Sequence, residues 1–303
     1  MRSDVPTTTH PWKVRPLTGN FGAEVTDVDL RTYDDGRALL ELLERHLVLV
    51  FRDQNLTHAE QSRIARLMGE VTPAHPVVPG HPDFPEILEL NALQGGKNAR
   101  WHTDVTFVEN PPAASILVAD VIPEFGGDTL WADARAAFAA LAPALREAVS
   151  QLEAVHRISP LAYWGEPFDS ALSREDAQTL FDDAAKIPPV IHPVVRIHPA
   201  TAKPALFVNP GFTSHVVGLS RIESDHLLRL LFEHVVQPEF TLRHHWAAGD
   251  AVMWDNRATL HYAADDYGQA ERRMRRITLR GTRPLGPSFQ ESRLTNDPLV
   301  SIR

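Results

Sequence analysis

A chain of 303 residues with 43% hydrophobic and 23% charged residues has the composition of an ordinary globular protein, with enough apolar surface for a sizeable core. Its formal net charge of -9 argues against a nucleic-acid binder, which needs a basic face for phosphates. The absence of cysteine excludes disulfides, thiolate zinc sites and cysteine nucleophiles, so any metal must be held by carboxylates and by some of the 15 histidines.

No apolar run approaches the roughly 18 to 20 residues that span a bilayer, and Met1 to Thr9 lacks the apolar core of a signal peptide. These features predict a cytoplasmic protein with no membrane partner. Residues 1–12 read as a flexible polar tail, 13–290 as a single domain, and 291–303 as a second tail. Asp35 to His46 carries Ala38, Leu39, Leu42 and Leu43 at helical spacing, followed by a short buried-strand pattern over Leu47 to Phe51. Thr57 to Met68 reads as a second helix opened by a capping box, Thr57 with Glu60. Helix, strand, helix in this order suggests a helical N-terminal layer against a sheet.

Short strands follow at Ile87 to Leu90, Ala114 to Ala119 and Thr129 to Trp131. A helix from Asp133 to about Leu141 should break at Pro143 and resume to Leu152. Residues 158–189 are rich in Pro, Gly, Ser and Asp without a clean period, the pattern of an insertion or lid. Strands return at Val194 to Ile197 and Ala205 to Val208. Ser220 to Val236 then reads as an amphipathic helix with Leu227, Leu230, Leu231 and Val235 on one face. The last strands are Phe240 to Leu242, Ala251 to Trp254 and Met274 to Arg280. Many short strands with helices in a few blocks predict an α+β fold with a mainly β core, a sandwich or jelly roll with helical additions. One basic cluster, Arg272, Arg273, Arg275 and Arg276 with Arg280 and Arg283, is short enough to be a solvated strand edge.

The pair His102 and Asp104 in Trp101-His102-Thr103-Asp104-Val105-Thr106-Phe107, with a remote His261, matches the ligand set of a two-histidine, one-carboxylate facial triad. On an extended segment residues i and i+2 point to one side, so His102 and Asp104 could face one ion. Alone, an H-x-D pair reads equally as two surface polar residues. His261 is harder to dismiss, since it follows a tryptophan-bearing strand and the turn Gly249-Asp250.

These residues, together with Gly126-Gly127-Asp128-Thr129-Leu130-Trp131, Leu206-Phe207-Val208-Asn209-Pro210-Gly211-Phe212 and Gly249-Asp250 through His261, resemble the taurine dioxygenase family over about residues 15 to 285. The resemblance implies a double-stranded β-helix, a distorted jelly roll with flanking helices. It also implies an Fe(II)-dependent dioxygenase with 2-oxoglutarate and O2 as co-substrates. It makes His102, Asp104 and His261 the iron ligands. Arg272, eleven residues after His261, and Thr129 become the partners of the distal 2-oxoglutarate carboxylate. Arg273 should point to the opposite side of the strand from Arg272.

In sulfonate-type members an arginine fifteen residues after the distal histidine grips the substrate anion; here that position is Arg276. His75, Asn98 and Phe212 also match substrate positions, though Asn98 could serve a turn, His75 could be a loop histidine and Phe212 plain core. Where taurine enzymes carry a tyrosine, this chain has Val78, which favours a longer alkyl sulfonate or an alkyl sulfate ester over taurine. Tyr163 and Trp164 could line such a pocket. The resemblance implies hydroxylation of a small anionic organic substrate, with release of succinate and CO2. The product then collapses to an aldehyde plus sulfite or sulfate. Because Asp104 is a carboxylate, hydroxylation or desaturation is expected rather than halogenation. Family members of the sulfonate type tend to be homo-oligomers, dimers or tetramers.

An alternative keeps this chemistry but takes a carboxylate-bearing or biosynthetic intermediate. A zinc hydrolase built on His102, Asp104 and another histidine would leave Arg272, Arg276 and Thr129 without a role. A cupin-like binding module would share the β-barrel but release no succinate.

Overall fold

The computed structural model describes residues 10, 12–91, 99–158, 179, 182–288 and 293–294. The expectations for Asn98, for Tyr163 and Trp164, for most of 158–189 and for both tails lie outside these residues, apart from a few tail positions.

In chain order the elements are β1 (Lys13–Pro16), β2 (Ala23–Thr26), α1 (Gly36–His46), β3 (Val48–Phe51), α2 (His58–Met68), β4 (Leu88–Asn91), β5 (Ala114–Val121) and β6 (Thr129–Asp133). Then come α3 (Ala134–Ala140), α4 (Pro143–Val149), β7 (Glu153–His156), β8 (Val190–Pro193), β9 (Val195–Ile197), β10 (Pro204–Leu206) and β11 (Thr213–Val216). The chain continues with α5 (Arg221–Val235), a 3-10 turn (Pro238–Phe240), β12 (Thr241–His244), β13 (Ala251–Asp255), β14 (Thr259–Ala263), β15 (Arg273–Leu279) and β16 (Arg293–Leu294).

The main sheet has seven strands in the order β1-β2-β3-β13-β5-β15-β4. Its pairs are antiparallel except β2 with β3. Strand alternation gives the sheet two apolar faces. One face, with Ile116, Val118, Met253 and Ile277, packs on Leu39, Leu43, Ile64 and Met68 of α1 and α2. The other face, with Leu117, Val252, Trp254 and Met274, shares a core with Trp131, Leu242 and Leu260 of a three-stranded sheet, β12-β6-β14. The expected helical N-terminal layer is therefore present, and the second face meets another sheet. A four-stranded sheet, β11-β7-β8-β16, and the pair β10-β9 complete the fold.

Local signals explain most boundaries. Asp35 caps α1 by accepting from the Ala38 N–H, and Thr57 with Glu60 forms the expected capping box on α2. Pro143 occupies the first turn of α4, where its missing N–H costs nothing, so the break precedes it and α4 stops at Val149, short of Leu152. On α5, capped by Ser220 and Glu223, the buried stripe is Ser224, Leu228, Leu231 and Val235; Leu230 is exposed. The expected face was rotated because four leucines in the helix fit two overlapping stripes, and only contact with the core chooses one. Leu228, Leu231 and Val235 each contribute about 1.5–3 kcal/mol through burial.

Two expectations need correction. The arginine cluster is no sheet edge: β15 lies between β5 and β4, and Arg272, Arg275 and Arg276 are buried. The H-x-D segment is no continuous strand. His102 makes one antiparallel bridge to His261, and the chain then turns at Val105, whose φ of 53° is unusual for a β-branched residue.

Candidate metal centre

The bridge between His102 and His261 carries two backbone bonds, His102 N–H to His261 O at 2.9 Å and His261 N–H to His102 O at 2.7 Å. It brings the two rings to a centroid separation of 4.1 Å. Asp104 turns in beside them, with Oδ1 4.0 Å from His102 Nε2 and 3.7 Å from His261 Nε2. All three side chains are buried, and one donor atom from each lies within 4.8 Å of the others.

The donor set fits a divalent ion. Burial pushes both imidazoles below their ordinary pKa, so they stay neutral and keep a lone pair. The backbone carbonyl of Arg100 takes the Nδ1 proton of His102 at 2.8 Å, which leaves Nε2 as the lone-pair atom facing the site. Burial alone would raise the Asp104 pKa. Arg276 first, then His261, His102 and the Ser115 hydroxyl, outweigh it and hold the carboxyl well below the usual range. Arg276 hydrogen-bonds Asp104 Oδ1 through Nη1, while its Nε has no partner among the described residues.

The remaining residues converge unequally. His75 is buried beside Phe107, and its Nδ1 accepts the backbone N–H groups of Val77 and Val78 at 3.2 Å each. Burial, with Arg276 nearby, lowers its pKa to about 3, so it is neutral and carries its proton on Nε2. Phe212 lies edge-on to His102 at 6.1 Å and against Phe107 at 4.9 Å. Phe212 is placed by Asn209, whose Oδ1 accepts the Phe212 N–H while its Nδ2 donates to Thr106 Oγ1. Gly211 is required by close approach, since a Cβ there would meet His102 Cβ at 2.8 Å.

Arg272 is buried and donates from Nε to Gly127 O at 3.1 Å, whereas Arg273 is exposed and pairs with Glu271. Gly127 has φ +70°, and a Cβ there would press on the Arg272 side chain at 3.1 Å. Thr129 is buried and accepts the Trp246 indole N–H at 2.9 Å. The sequence reading missed Trp246, Ser115, Asn256 and Asn209. Trp246 and Ser115 carry no local pattern, while Asn256 and Asn209 stand inside motifs that the resemblance already quoted.

A second group, His58, His81 and Glu89, also has metal-ligating types close together. His81 Nδ1 accepts the Asp83 N–H at 3.1 Å, so a neutral ring keeps its proton on Nε2 and has no lone pair left for an ion.

Paired sheets thus bring a buried two-histidine, one-carboxylate set that suits a divalent ion together with two buried arginines in a mainly β protein. The chain belongs to the taurine catabolism dioxygenase TauD, TfdA family, whose model matches residues 13–278. It is a dioxygenase of that family. It is 41% identical to an alpha-ketoglutarate-dependent sulfate ester dioxygenase of Pseudomonas putida, over 93% of this chain and 94% of the relative. It is 39% identical to an alkylsulfatase of Acinetobacter baylyi, over 90% and 86% of the two chains. The crystal structure of a taurine dioxygenase from Burkholderia xenovorans superposes with a TM-score of 0.80 at 35% identity, covering 96% and 97%. That likeness makes the fold a jelly roll. Among the described residues no helix is long and apolar enough to cross a membrane.

Proposed function

We infer that this chain is an Fe(II)- and 2-oxoglutarate-dependent dioxygenase, built on a double-stranded β-helix, that hydroxylates a small alkyl sulfate ester or alkyl sulfonate. The observation that carries the reading is the buried set His102, Asp104 and His261 with Arg276 on its rim. The names of its relatives support the sulfur-ester branch over a carboxylate-bearing substrate.

His102, Asp104 and His261 would hold the iron. The bound metal, with 2-oxoglutarate and O2, supplies the oxidising power for C–H hydroxylation and yields succinate and CO2. Arg272 offers a charged fork, and Thr129 a hydroxyl, to the distal carboxylate of 2-oxoglutarate. An ion drawing on Asp104 Oδ1 leaves the Arg276 guanidinium to be satisfied, and a sulfate or sulfonate group does so. Neutral His75 adds an Nε2 proton as a second donor to that anion. Phe107 and Phe212 present an apolar wall for the alkyl part and keep water from the reacting carbon. Hydroxylation of the carbon bearing the sulfate oxygen gives a hemiacetal sulfate. Loss of its hydroxyl proton and cleavage of that C–O bond release an aldehyde and sulfate.

The test is a panel assay on purified, iron-loaded protein with hexyl sulfate, hexanesulfonate, taurine and phenoxyacetate. Substrate-dependent succinate release with stoichiometric sulfate or sulfite is expected for the first two. Succinate release no faster with them than without would overturn the substrate assignment.

A further inference from the structure

Asp104 is held from behind as well as from the front. Ser115 Oγ donates to Asp104 Oδ2 at 2.6 Å, Asn256 Nδ2 donates to Ser115 Oγ at 2.7 Å, and the Trp254 indole N–H donates to Asn256 Oδ1 at 2.8 Å. All four side chains are essentially buried, none more than 2% exposed. Every direction in this row is forced. An indole N–H can only donate, so the amide oxygen of Asn256 faces it and the amide nitrogen faces Ser115. The Ser115 oxygen accepts that bond, and its own proton goes to the carboxylate, which when ionised can only accept.

Strand register builds the row. Ser115 on β5 lies opposite Trp254 on β13, and the Asn256 N–H donates to Ala113 O at 3.0 Å, which locks the turn after β13 to the start of β5. The backbone beside Asp104 is the opposite case. Val105 adopts a left-handed φ that a β-branched side chain disfavours, so that conformation persists only because its surroundings impose it.

We propose that Ser115, Asn256 and Trp254 form a positioning relay that commits Asp104 to its metal through Oδ1 alone. With Ser115 donating to Oδ2, the carboxylate would be held with Oδ1 toward the ion and hindered from turning Oδ2 onto it. The relay also couples two ligands, because the Trp254 ring packs on His261 at 4.9 Å while its N–H serves Asp104 through Asn256. This inference rests on the reading of His102, Asp104 and His261 as metal ligands.

The experiment is anaerobic titration of Fe(II) into full-length apoprotein with 2-oxoglutarate, following the visible charge-transfer band, for wild type, Ser115→Ala, Ser115→Thr, Trp254→Phe and Asp104→Ala. Ser115→Ala should bind one ion per chain with affinity lowered roughly 10- to 100-fold. Its band should shift and its ratio of succinate formed to substrate oxidised should rise, effects that a merely structural serine would not produce. Ser115→Thr, which restores the hydroxyl, should return the band toward its wild-type position. Trp254→Phe, which keeps a ring on His261 but removes the N–H, should shift the band the same way with a smaller loss of affinity. Wild-type affinity and an unmoved band in both Ser115→Ala and Trp254→Phe would overturn the relay. Undiminished binding by Asp104→Ala would instead overturn the metal reading beneath it.

Discussion

Asp104 and Asp255 are both buried, both stand beside a histidine and an arginine, and both are held well below the usual carboxylate range. Their surroundings differ in how completely they are used. Asp255 accepts four bonds: Arg257 N and Nε on Oδ1, and His198 Nε2 and Arg257 Nη2 on Oδ2, at 2.7 to 2.9 Å. His198 is occupied at its other nitrogen too, where Nδ1 accepts from Ala200 and Thr201, and Arg257 reaches on to Glu44. Around Asp104 the two imidazole nitrogens stop at 3.7 and 4.0 Å from Oδ1, beyond hydrogen-bond reach. Saturation marks a cluster that holds the fold together, whereas donors that do not bond one another suit the metal site proposed above. The two sets adjoin in sequence, since Asp255 lies between Trp254 and Asn256 and alternation sends neighbours to opposite clusters.

The sharpest break between them comes from His261→Ala. If His261 is a ligand as proposed, its removal should lower Fe(II) affinity by more than about a hundredfold, beyond what loss of a supporting group costs, and abolish succinate release. The melting temperature of the apoprotein should barely change; calorimetry and metal titration check both halves. Asp255→Asn should do the reverse. Breaking a buried pair and leaving Arg257 under-compensated costs about 3–5 kcal/mol in denaturant unfolding, while the folded fraction still binds one ion per chain. A loss of metal binding without loss of stability would erase the distinction.

Arg272→Ala should raise the KM for 2-oxoglutarate. A charge-assisted bond is worth about 1.5–3 kcal/mol, or roughly 10- to 150-fold, and little should happen to apoprotein stability. Acid tests the buried histidines that flank the functional cluster. Burial lowers the His192 pKa to about 3, while its Nε2 faces the Thr106 and Val108 carbonyls. The unfolded chain takes up that proton near pH 6.5 and the folded one does not, so this contribution is complete above about pH 6.5. It is lost as pH falls from there toward 3, by up to about 1.4 kcal/mol per pH unit. Melting curves between pH 7.5 and 5 should fall accordingly, with a shallower slope in His192→Gln. The smallest effect is expected from Trp246→Phe. Loss of one neutral bond to Thr129, about 0.5–1.5 kcal/mol, should weaken 2-oxoglutarate binding roughly two- to tenfold.

The H-x-D pair and the histidine after a tryptophan-bearing strand are short-range patterns that marked candidates, and the family resemblance made them a proposed ligand set. Arg272 and Arg276 were singled out by the resemblance alone, since the cluster by itself read as a solvated strand edge, and the structure buries both. Short strands β1, β2, β7, β11 and β16 were not legible. These segments lack the apolar run that made β3 and β10 readable at similar length, and only their partners make them strands.

By itself the sequence determined the helix cap at Thr57, the break before Pro143 and a mainly β core. These are local matters of propensity, hydrogen-bonding capacity and period. Tertiary structure decided which face α5 buries, that the arginine strand is interior, and that the chain turns at Val105 after His102. It also decided that Ser115, Asn256 and Trp254 stand behind Asp104. Those outcomes depend on cross-strand register between segments more than a hundred residues apart, and nothing within either segment encodes which residue will lie opposite.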